Sequence, residues 1–265
     1  MGGLRSKQAA VLISGLAIAA NVSAEGIEST AGSEQAFISF DQMGWKGSVG
    51  GGAGLVPSYE GAGTHRAHWI PLFDAEAGRF FFSTMRGIGM NLSSHHGIRF
   101  GPRITYSTGR KERYDARLSG MGNVSGTGQM GFFVNARHEP WYTTDDIRSD
   151  GHGTRLDFEA GYESKPTSDD RVRAGAKLSW ADPRYMQTFF GVNAAQSVSS
   201  GLPAYQARAG IKDYGINVNW RHNFSRKWFG NTGLQARRLS GSASESPLVA
   251  TRLETSANFL LGYRF

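Results

Sequence analysis

The alternation of residue types between Arg252 and Phe265 constrains the fold more than any other feature of the sequence. One set of alternate positions is almost entirely apolar, namely Phe265, Tyr263, Leu261, Phe259, Ala257, Thr255 and Leu253. The positions between them are mostly polar or small, namely Arg264, Gly262, Leu260, Asn258, Ser256, Glu254 and Arg252. Successive side chains of a β-strand point to opposite faces, so one face of this strand can meet lipid along its whole length.

The same division recurs in residues 98–107, 155–163, 171–180 and 213–221. In each segment, one face is apolar with aromatic residues toward its ends, and the other face is charged or small. If the apolar faces point outward, the charged residues face the inside of a barrel. The predicted inward-facing charged residues are Arg99, Arg103, Arg155, Asp157, Glu159, Arg171, Arg173, Lys177, Asp213, Arg221, Arg252, Glu254 and Arg264.

A soluble β-sandwich is the alternative to a membrane barrel for such a pattern. Several candidate strands exceed the length of about 5–6 residues that is usual in soluble proteins, and their aromatic residues lie where a membrane-interface girdle needs them. The last strand also closes on Tyr263 and Phe265, and a terminal aromatic residue is the familiar assembly signal of outer-membrane proteins. Because lipid leaves no partner for an unpaired backbone group, such strands must close into a barrel. The pattern favours the barrel.

The sequence predicts an all-β protein, a transmembrane antiparallel up-and-down barrel. The candidate strands cover residues 45–57, 65–74, 79–92, 98–108, 124–137, 141–147, 154–163, 171–180, 185–192, 208–224, 227–239 and 252–265. These are twelve strands, an even number, as a single-chain barrel with both termini in the periplasm requires. The second, third, sixth and ninth have the weakest pattern, so ten strands is the alternative.

A periplasmic start fixes which connections point outward. The predicted outward loops are residues 58–64, 93–97, 138–140, 164–170, 193–207 and 240–251. The connection 109–123 then lies on the periplasmic side, where turns are normally short. Its length indicates either a genuine periplasmic feature or an error of register in the strand assignment.

The first 24 residues have the pattern of a secretory signal peptide. Arg5 and Lys7 precede an apolar core at residues 9–20, and Ala24 ends a small-residue cleavage site. We therefore expect export, a mature start at Glu25 and a final location in the cell outer membrane. Residues 25–44 are predicted to be a periplasmic N-terminal segment, either tucked into the barrel mouth or free of it, and residues 45–265 the barrel.

Composition excludes several classes of site. The sequence contains no cysteine, which removes thiolate metal sites, cysteine nucleophiles and disulfides together. Loss of Arg5 and Lys7 lowers the formal net charge from +7 to +5, and this charge is too dispersed for a nucleic-acid partner. No cofactor is predicted.

Three local features are candidates for chemical sites. His222 lies at the end of a lipid-facing register, where a base for lipid hydrolysis would sit, but no nucleophile motif such as G-x-S-x-G is present. His95 and His96 lack a third ligand nearby, and the predicted acidic loop around Asp145, Asp146, Ser149 and Asp150 is typical of a solvated strand end, or of a contact with divalent cations. We predict no catalytic residue, no metal site and no enzyme activity.

The inward-facing charges have two interpretations. Mixed charges on neighbouring strands form ion pairs that fill a narrow barrel. An excess of positive charge along a water-filled path would instead favour anions. The sequence does not separate the two, although the mixture of signs slightly favours a filled lumen.

Several short segments resemble the MipA/OmpV family of outer-membrane proteins. They are Pro-Ser-Tyr-Glu-Gly at 57–61, residues 118–123, 185–192, 200–205, 209–213, 237–239 and 246–249, and Gly-Tyr-Arg-Phe at 262–265. The motif residues that we carry forward are Pro57, Tyr59, Gly61, Tyr185, Gly191, Ser200, Gly201, Leu202, Pro203, Tyr205, Ser246 and Pro247. The sequence departs from the family pattern at 240–245, where Ser242 stands in place of an acidic residue.

The resemblance implies a non-enzymatic scaffold. The family's namesake is regarded as joining a lytic transglycosylase to a bifunctional penicillin-binding protein during murein synthesis, and other members are discussed as adhesins or as barrels that affect osmotic and antibiotic responses. The implied partners are outer-membrane lipid and lipopolysaccharide, the barrel-assembly machinery, and possible murein enzymes. A small-solute channel that prefers anions is the alternative, and a barrel hydrolase is a distant third.

Overall fold

The computed structural model describes residues 45–93 and 97–265, which form a closed antiparallel barrel of twelve strands. The strands are β1 (Lys46–Pro57), β2 (His65–Ala77), β3 (Phe80–Ser83), β4 (Gly87–Met90), β5 (Ile98–Ser107), β6 (Thr127–His138), β7 (Trp141–Asp150), β8 (Gly153–Ser164), β9 (Asp170–Ala181), β10 (Gly210–Asn223), β11 (Trp228–Leu239) and β12 (Leu253–Arg264). Each strand pairs with its neighbours in sequence, and β12 pairs with β1. The predicted fold class is confirmed. The predicted signal peptide, the segment 25–44, His95 and His96 lie outside the described residues.

The predicted alternation of outward-facing and inward-facing residues is confirmed along β12. Its apolar positions are exposed on the outside, where Phe259 is 51% exposed. The alternate positions point inward, where Glu254 is 2% exposed. This register is fixed on both sides, since Ala257 lies opposite Leu55 of β1 and Leu234 of β11.

One group of aromatic residues lies at the end of the barrel where the described chain begins and finishes. We call the end where β1 begins and β12 finishes the terminal end, and the end where β1 finishes the loop end. Trp141 packs edge-on against Tyr162 with ring centroids 5.3 Å apart, and Trp228 packs against Tyr263 at 5.2 Å. All four residues, with Trp220, lie near the terminal end of their strands. Amphipathic rings in this position are typical of a membrane interface.

The predicted strand 79–92 is wrong, because it is a short hairpin made of β3 and β4. The hydroxyl of Ser83 accepts hydrogen bonds from the backbone N–H groups of Met85 and Arg86, each at 3.3 Å, which turns the chain. Gly87 then takes a φ of 81°, a conformation that side chains other than glycine rarely adopt. The chain therefore returns to the terminal end instead of crossing the wall.

The predicted strand 185–192 is also wrong, because residues Pro183–Phe190 form a helix, α1. Asp182 caps it by accepting a hydrogen bond from the N–H of Tyr185 at 2.7 Å, and Pro183 occupies its first turn. Both are standard helix-start signals that the strand interpretation passed over. Among the described residues, no helix is long and apolar enough to cross a membrane.

The first error omits one strand and the second adds one, so the predicted total of twelve is correct. The predicted ends of the barrel at which several loops lie are nevertheless wrong. Between β4 and β9, every connection lies at the end opposite to its predicted one, so 138–140, 164–170 and the described part of 93–97 are at the terminal end. The long connection 109–123 lies at the loop end. There, the hydroxyl of Thr64 donates to the carboxylate of Asp115 at 2.5 Å. Its length marked an error of register.

The short β3–β4 hairpin leaves the wall incomplete near the loop end. The hairpin pairs with β2 only at Asp74–Ala77 and with β5 only at Arg103 and Ile104. Within the described residues, no strand lies between His65–Leu72 of β2 and Thr105–Ser107 of β5. We call this interruption the side gap.

Candidate functional site

Four connections fold together over the loop end, and we call this assembly the cap. It comprises residues 58–64, 108–126, 182–209 and 240–252, and contains α1, α2 (Ala194–Ser200) and α3 (Gly241–Ser244). One buried cluster joins α1 to the ends of β9 and β11, and consists of Ala181, Tyr185, Met186, Phe190, Ala207, Leu239 and Ala243. A second cluster consists of Tyr59, Ala62, Leu118, Met121, Val192 and Leu248.

Helix α2 docks the loop 108–126 onto the rest of the cap. Asn193 and Gln196 form a capping box at its start, and Gly201 ends it with a φ of 74°. The side-chain amide of Gln196 donates to the carbonyl of Met121 at 2.8 Å. Two connections far apart in sequence are thus joined by one helix terminus.

The motif residues identified in the sequence converge on the cap. The hydroxyl of Tyr59 donates to the carbonyl of Leu248 at 2.8 Å, and the hydroxyl of Ser246 donates to the carbonyl of Phe190 at 2.6 Å. The backbone of Tyr205 pairs with that of Val192. The other motif residues lie beside these contacts: Pro57 at the end of β1, Gly61 in the loop after it, Gly191 at the end of α1, Ser200, Gly201, Leu202 and Pro203 at the end of α2, and Pro247 in the 240–252 loop.

Ser242, the departure from the family pattern, has a structural role of its own. Its hydroxyl accepts a hydrogen bond from the backbone N–H of Arg208 at 2.9 Å, and it lies 2.9 Å from the hydroxyl of Tyr205. The carbonyl of Ser242 accepts a further bond from Tyr205 at 2.7 Å. Serine therefore ties α3 to the 182–209 loop without a carboxylate.

Beneath the cap, Lys212 forms the centre of a buried charge cluster. Its Nζ lies 2.5 Å from Oδ2 of Asp213 and 3.1 Å from Oε1 of Glu60, and its side chain is 1% exposed. Lys212 and Asp213 are adjacent in sequence, yet both are buried. The pairing of β10 with β9 shifts register between Ile211 and Asp213, and such a bulge breaks the alternation of sides.

Arg237 joins the same cluster from β11. Its Nε lies 2.6 Å from Oε2 of Glu254, and its terminal nitrogen lies 3.9 Å from both Glu60 and Asp213. The other oxygen of Glu254 accepts a hydrogen bond from the N–H of Gly61 at 2.6 Å. A single carboxylate of the last strand thus holds both β11 and the first cap loop.

The charge of Glu60 is set by this environment. Burial on its own would raise the pKa of the Glu60 carboxyl, but Lys212, Arg237 and Arg155 outweigh it and lower the pKa to about 2. Glu60 is therefore ionised throughout the physiological range. Its negative charge therefore attracts the surrounding cations of the wall and holds the first cap loop against them.

Ion pairs continue from this cluster down the inward face of the wall. Asp157 binds Arg155 at 2.9 Å and also pairs with Arg148, and it accepts a hydrogen bond from Ser179 at 2.6 Å. Arg148 in turn lies 2.5 Å from Asp146, which also pairs with Arg103. Side-chain ion pairs thus join β7 to its backbone neighbour β8, and join β5 to β7 across β6.

Toward the terminal end, the inward charges become accessible to water. Glu163 pairs with Arg171 at 3.4 Å and with Arg173 at 3.6 Å, and Lys177 lies 3.3 Å from Glu159. The side chain of Arg173 is 42% exposed, compared with 1% for Lys212. Several inward-facing cations near the terminal end are therefore more accessible to water than Lys212 at the centre of the cluster under the cap.

The remaining predicted inward residues occupy varied positions. The guanidiniums of Arg221 and Arg264 lie 3.8 Å and 4.8 Å from the ring centre of Phe229. Arg99 lies 3.8 Å from Glu76. Arg252 is exposed just before β12 begins.

The sequence pattern predicts Asp213 and Glu254 but misses three members of the cluster, namely Glu60, Lys212 and Arg237. Glu60 was assigned only as part of a motif, Lys212 was placed on no face, and Arg237 was included only in a tripeptide. The available signal for Lys212 was the triplet Ile211-Lys212-Asp213, where two consecutive charged residues interrupt the alternation. For Glu60 no periodic signal exists, because it lies in a loop.

Two further expectations concern local chemistry. The predicted acidic loop is wrong, because Asp145, Asp146, Ser149 and Asp150 all belong to β7. The Nδ1 of His222 lies 2.9 Å from Oδ1 of Asp170 at the terminal end. The ring of His222 also packs against Phe224 at 4.9 Å, the environment of an interfacial histidine.

Comparison with solved structures finds several matches of low similarity. A NanC porin matches over 83% of this chain and 100% of its own, with 7% identity and a TM-score of 0.40. OccK11 (OpdR) of Pseudomonas aeruginosa matches over 83% and 95% of the two chains, with 6% identity and a TM-score of 0.33. Neisserial surface protein A matches over 63% and 93%, with 10% identity and a TM-score of 0.26. Similarities at this level add nothing to the fold already described.

Comparison of sequences is more specific for this chain than comparison of structures. A search of curated proteins found no match. The family model for MltA-interacting protein MipA matches residues 49–265, which include the whole cap and all but the first three residues of the barrel. By the extent of this match, the chain belongs to the MltA-interacting protein MipA family.

Proposed function

We propose that this protein is a non-enzymatic outer-membrane barrel, closed at its loop end, that serves as a binding scaffold in the cell envelope. The observation that carries the proposal is the burial beneath the cap. Lys212, Asp213 and Glu254 are each no more than 3% exposed, although all three are charged and inward-facing. A water-filled channel would leave such side chains hydrated, because charged groups are costly to bury.

The orientation follows from the lengths of the connections. Turns at the terminal end are short, such as 139–140 and 224–227, while the loop end carries 108–126 and 182–209. Short periplasmic turns and longer external loops are the usual arrangement in outer-membrane barrels. The cap then faces the outside, and the water-accessible end faces the periplasm and its murein.

The proposed partner is a murein-cleaving enzyme. The support is the name of the family, which describes its reference member as interacting with MltA. In the proposed orientation, the surfaces available to a periplasmic partner are the terminal-end turns and the open mouth of the barrel. The mixture of signs there, where Arg137 and Lys165 both pair with Glu139, suits a polar and reversible contact.

Site-specific photocrosslinking tests this proposal. A photoreactive residue replaces Lys165, an exposed residue of a terminal-end turn, and a matched variant carries it at Arg113, an exposed residue of the cap. We expect crosslinks from position 165 to a lytic transglycosylase or a penicillin-binding protein, and none from position 113. The proposal is overturned if terminal-end positions, scanned in turn, yield no murein enzyme in intact envelopes.

A further inference from the structure

A cavity of about 360 Å³ lies between the cap and the barrel wall. Its walls come from the end of β1, the first cap loop, β2, the residues after β5, and helix α1. Four arginines line it, namely Arg66, Arg110, Arg155 and Arg237, together with Glu60 and Glu254. Its volume is within the range of about 300–1,000 Å³ that is usual for small-ligand sites.

The charged residues beside this cavity fall into two groups. The first is a network of ion pairs with equal numbers of positive and negative charges, and the second consists of two arginines outside that network. The carboxylates of the network are Glu60, Asp146, Asp157, Asp213 and Glu254, and its cations are Arg103, Arg148, Arg155, Lys212 and Arg237. Five negative charges are therefore matched by five positive ones. Arg66 and Arg110 belong to no ion pair among the described residues, so the cavity carries two surplus positive charges.

Arg110 is a buried cation without a partner of opposite charge. It is 4% exposed, and one terminal nitrogen donates to the carbonyl of Phe189 at 2.9 Å. Its Nε has no hydrogen-bond partner within the described part of the chain. A buried guanidinium with an unused donor is costly unless an acceptor, such as water or an anion, completes its hydrogen bonding.

Arg66 approaches the same cavity from β2. Its guanidinium lies 4.5 Å from the ring centre of Tyr114, which holds the group in place by a cation–π contact. Its Nε is also buried and lacks a hydrogen-bond partner within residues 45–93 and 97–265. Two unused guanidinium donors thus line one cavity.

The cavity adjoins the side gap. Arg66 stands on the β2 edge of the gap, and Ser107, with the two residues that follow it, stands on the β5 edge. Pro71 on the β2 edge has no N–H group, which suits a strand position without a neighbour. The outer surface near the gap carries exposed apolar side chains, among them Trp69 and Tyr106. An amphiphile in the outer leaflet could therefore place its head in the cavity and leave its chains outside.

We propose that this cavity binds a phosphate group between Arg66 and Arg110, and that the side gap admits it as the head of a membrane lipid. Guanidinium groups bind phosphate through parallel N–H···O bonds, and two of them neutralise its charge. The site is separate from the terminal-end surfaces that we assign to protein partners. It goes beyond the scaffold function and does not depend on it.

Calorimetric binding to the purified full-length barrel in a neutral detergent tests the proposal. The probes are a short-chain phosphatidic acid, the corresponding uncharged diacylglycerol, and inorganic phosphate. We expect the phosphatidic acid to bind and the diacylglycerol not to bind. Arg66→Gln and Arg110→Gln should each weaken binding by about tenfold or more, while Arg113→Gln, a change to an exposed arginine of the cap, should leave it unaltered.

The two sources of phosphate are separated by the probes. Tighter binding of the lipid than of inorganic phosphate supports entry through the side gap. Equal binding of both, lost in both variants, supports the phosphate site and overturns lipid entry. No binding, or binding that neither variant weakens, overturns the whole proposal. Arg110→Lys, which keeps the positive charge, should retain part of the affinity, and gel mobility before and after heating verifies that each variant is folded.

Discussion

The Nζ of Lys212 lies 3.1 Å from the Oε1 of Glu60, although 152 residues separate them in the sequence. Lys212 belongs to β10, and Glu60 belongs to the first cap loop. The ion pair therefore fixes the first cap loop, which follows β1, to the inner face of β10. Strands β12 and β11 lie between β1 and β10 in the wall. The ion pair also accounts for the burial of Lys212, since the charge of Lys212 is balanced by Glu60 and Asp213.

Replacing Lys212 should be severely destabilising. Lys212→Met removes the nearest cation of Glu60 and Asp213 and leaves them only the more distant Arg237, and breaking a buried ion pair in this way costs about 3–5 kcal/mol. The free energy of unfolding, measured by urea titration in lipid vesicles, checks this. Lys165→Met is the matched control, because Lys165 is half-exposed in its contact with Glu139 and should change stability by about 1 kcal/mol or less. Equal effects of the two substitutions would contradict the assignment.

The contribution of Glu60 to the free energy of unfolding should decrease as the pH falls. Burial raises the pKa of its carboxyl, and Lys212, Arg237 and Arg155 more than offset this, so that the folded pKa is about 2. A depressed pKa contributes stability that is full above the unfolded pKa of about 4.3 and is lost as the pH falls toward 2. The difference in unfolding free energy between wild type and Glu60→Gln should be at most about 3 kcal/mol at neutral pH and should shrink below pH of about 4. A difference that grows on acidification would refute this account.

Arg237 and Glu254 should show strong coupling. Each single change to leucine leaves a buried charge without its partner at 2.6 Å and should cost about 3–5 kcal/mol, whereas the double change removes both charges. A double-mutant cycle of unfolding free energies should therefore give a cost for the double variant well below the sum of the two. Additive costs would mean that the pair does not interact in the folded barrel.

The aromatic residues at the terminal end should lie at the lipid interface. A variant that retains Trp228 as its only tryptophan should be quenched more strongly by lipids brominated near the headgroup than by lipids brominated deep in the chain, because the ring packs with Tyr263 at the end of its strand. A variant that retains only Trp180, on the outward face of β9 near the loop end, serves as a comparison. Stronger quenching of Trp228 by the deep label would contradict the placement.

The wall of the barrel was predictable because its signal is periodic. In β12, the positions of Phe259 and Glu254 follow from a period of two alone, and the closing strand pairs as that period requires. The hairpin β3–β4 was not predictable in this way. Its strands are four residues each, too short to show a period, and the turn depends on the hydroxyl of Ser83 and the positive φ of Gly87.

The cap was only partly predictable. Its motif residues follow from the family resemblance, but the sequence pattern predicts a strand where α1 lies, because a short aromatic run such as Phe189-Phe190 fits either structure. Asp182 and Pro183 were the deciding signals. The charge cluster could not be derived, because Glu60 comes from a loop and Lys212 from a bulge, and neither follows the period of the wall.

Conductance across a planar bilayer tests the central claim, that the barrel is closed at its loop end. The wild-type protein should insert without stable unit steps of current. A variant in which residues 184–207 are replaced by a short Gly-Ser linker loses α1, α2 and the cluster that they bury, and should show unit steps, which also verifies insertion. Stable steps of equal size from the wild type and the variant would contradict the claim, since the cap would then close nothing.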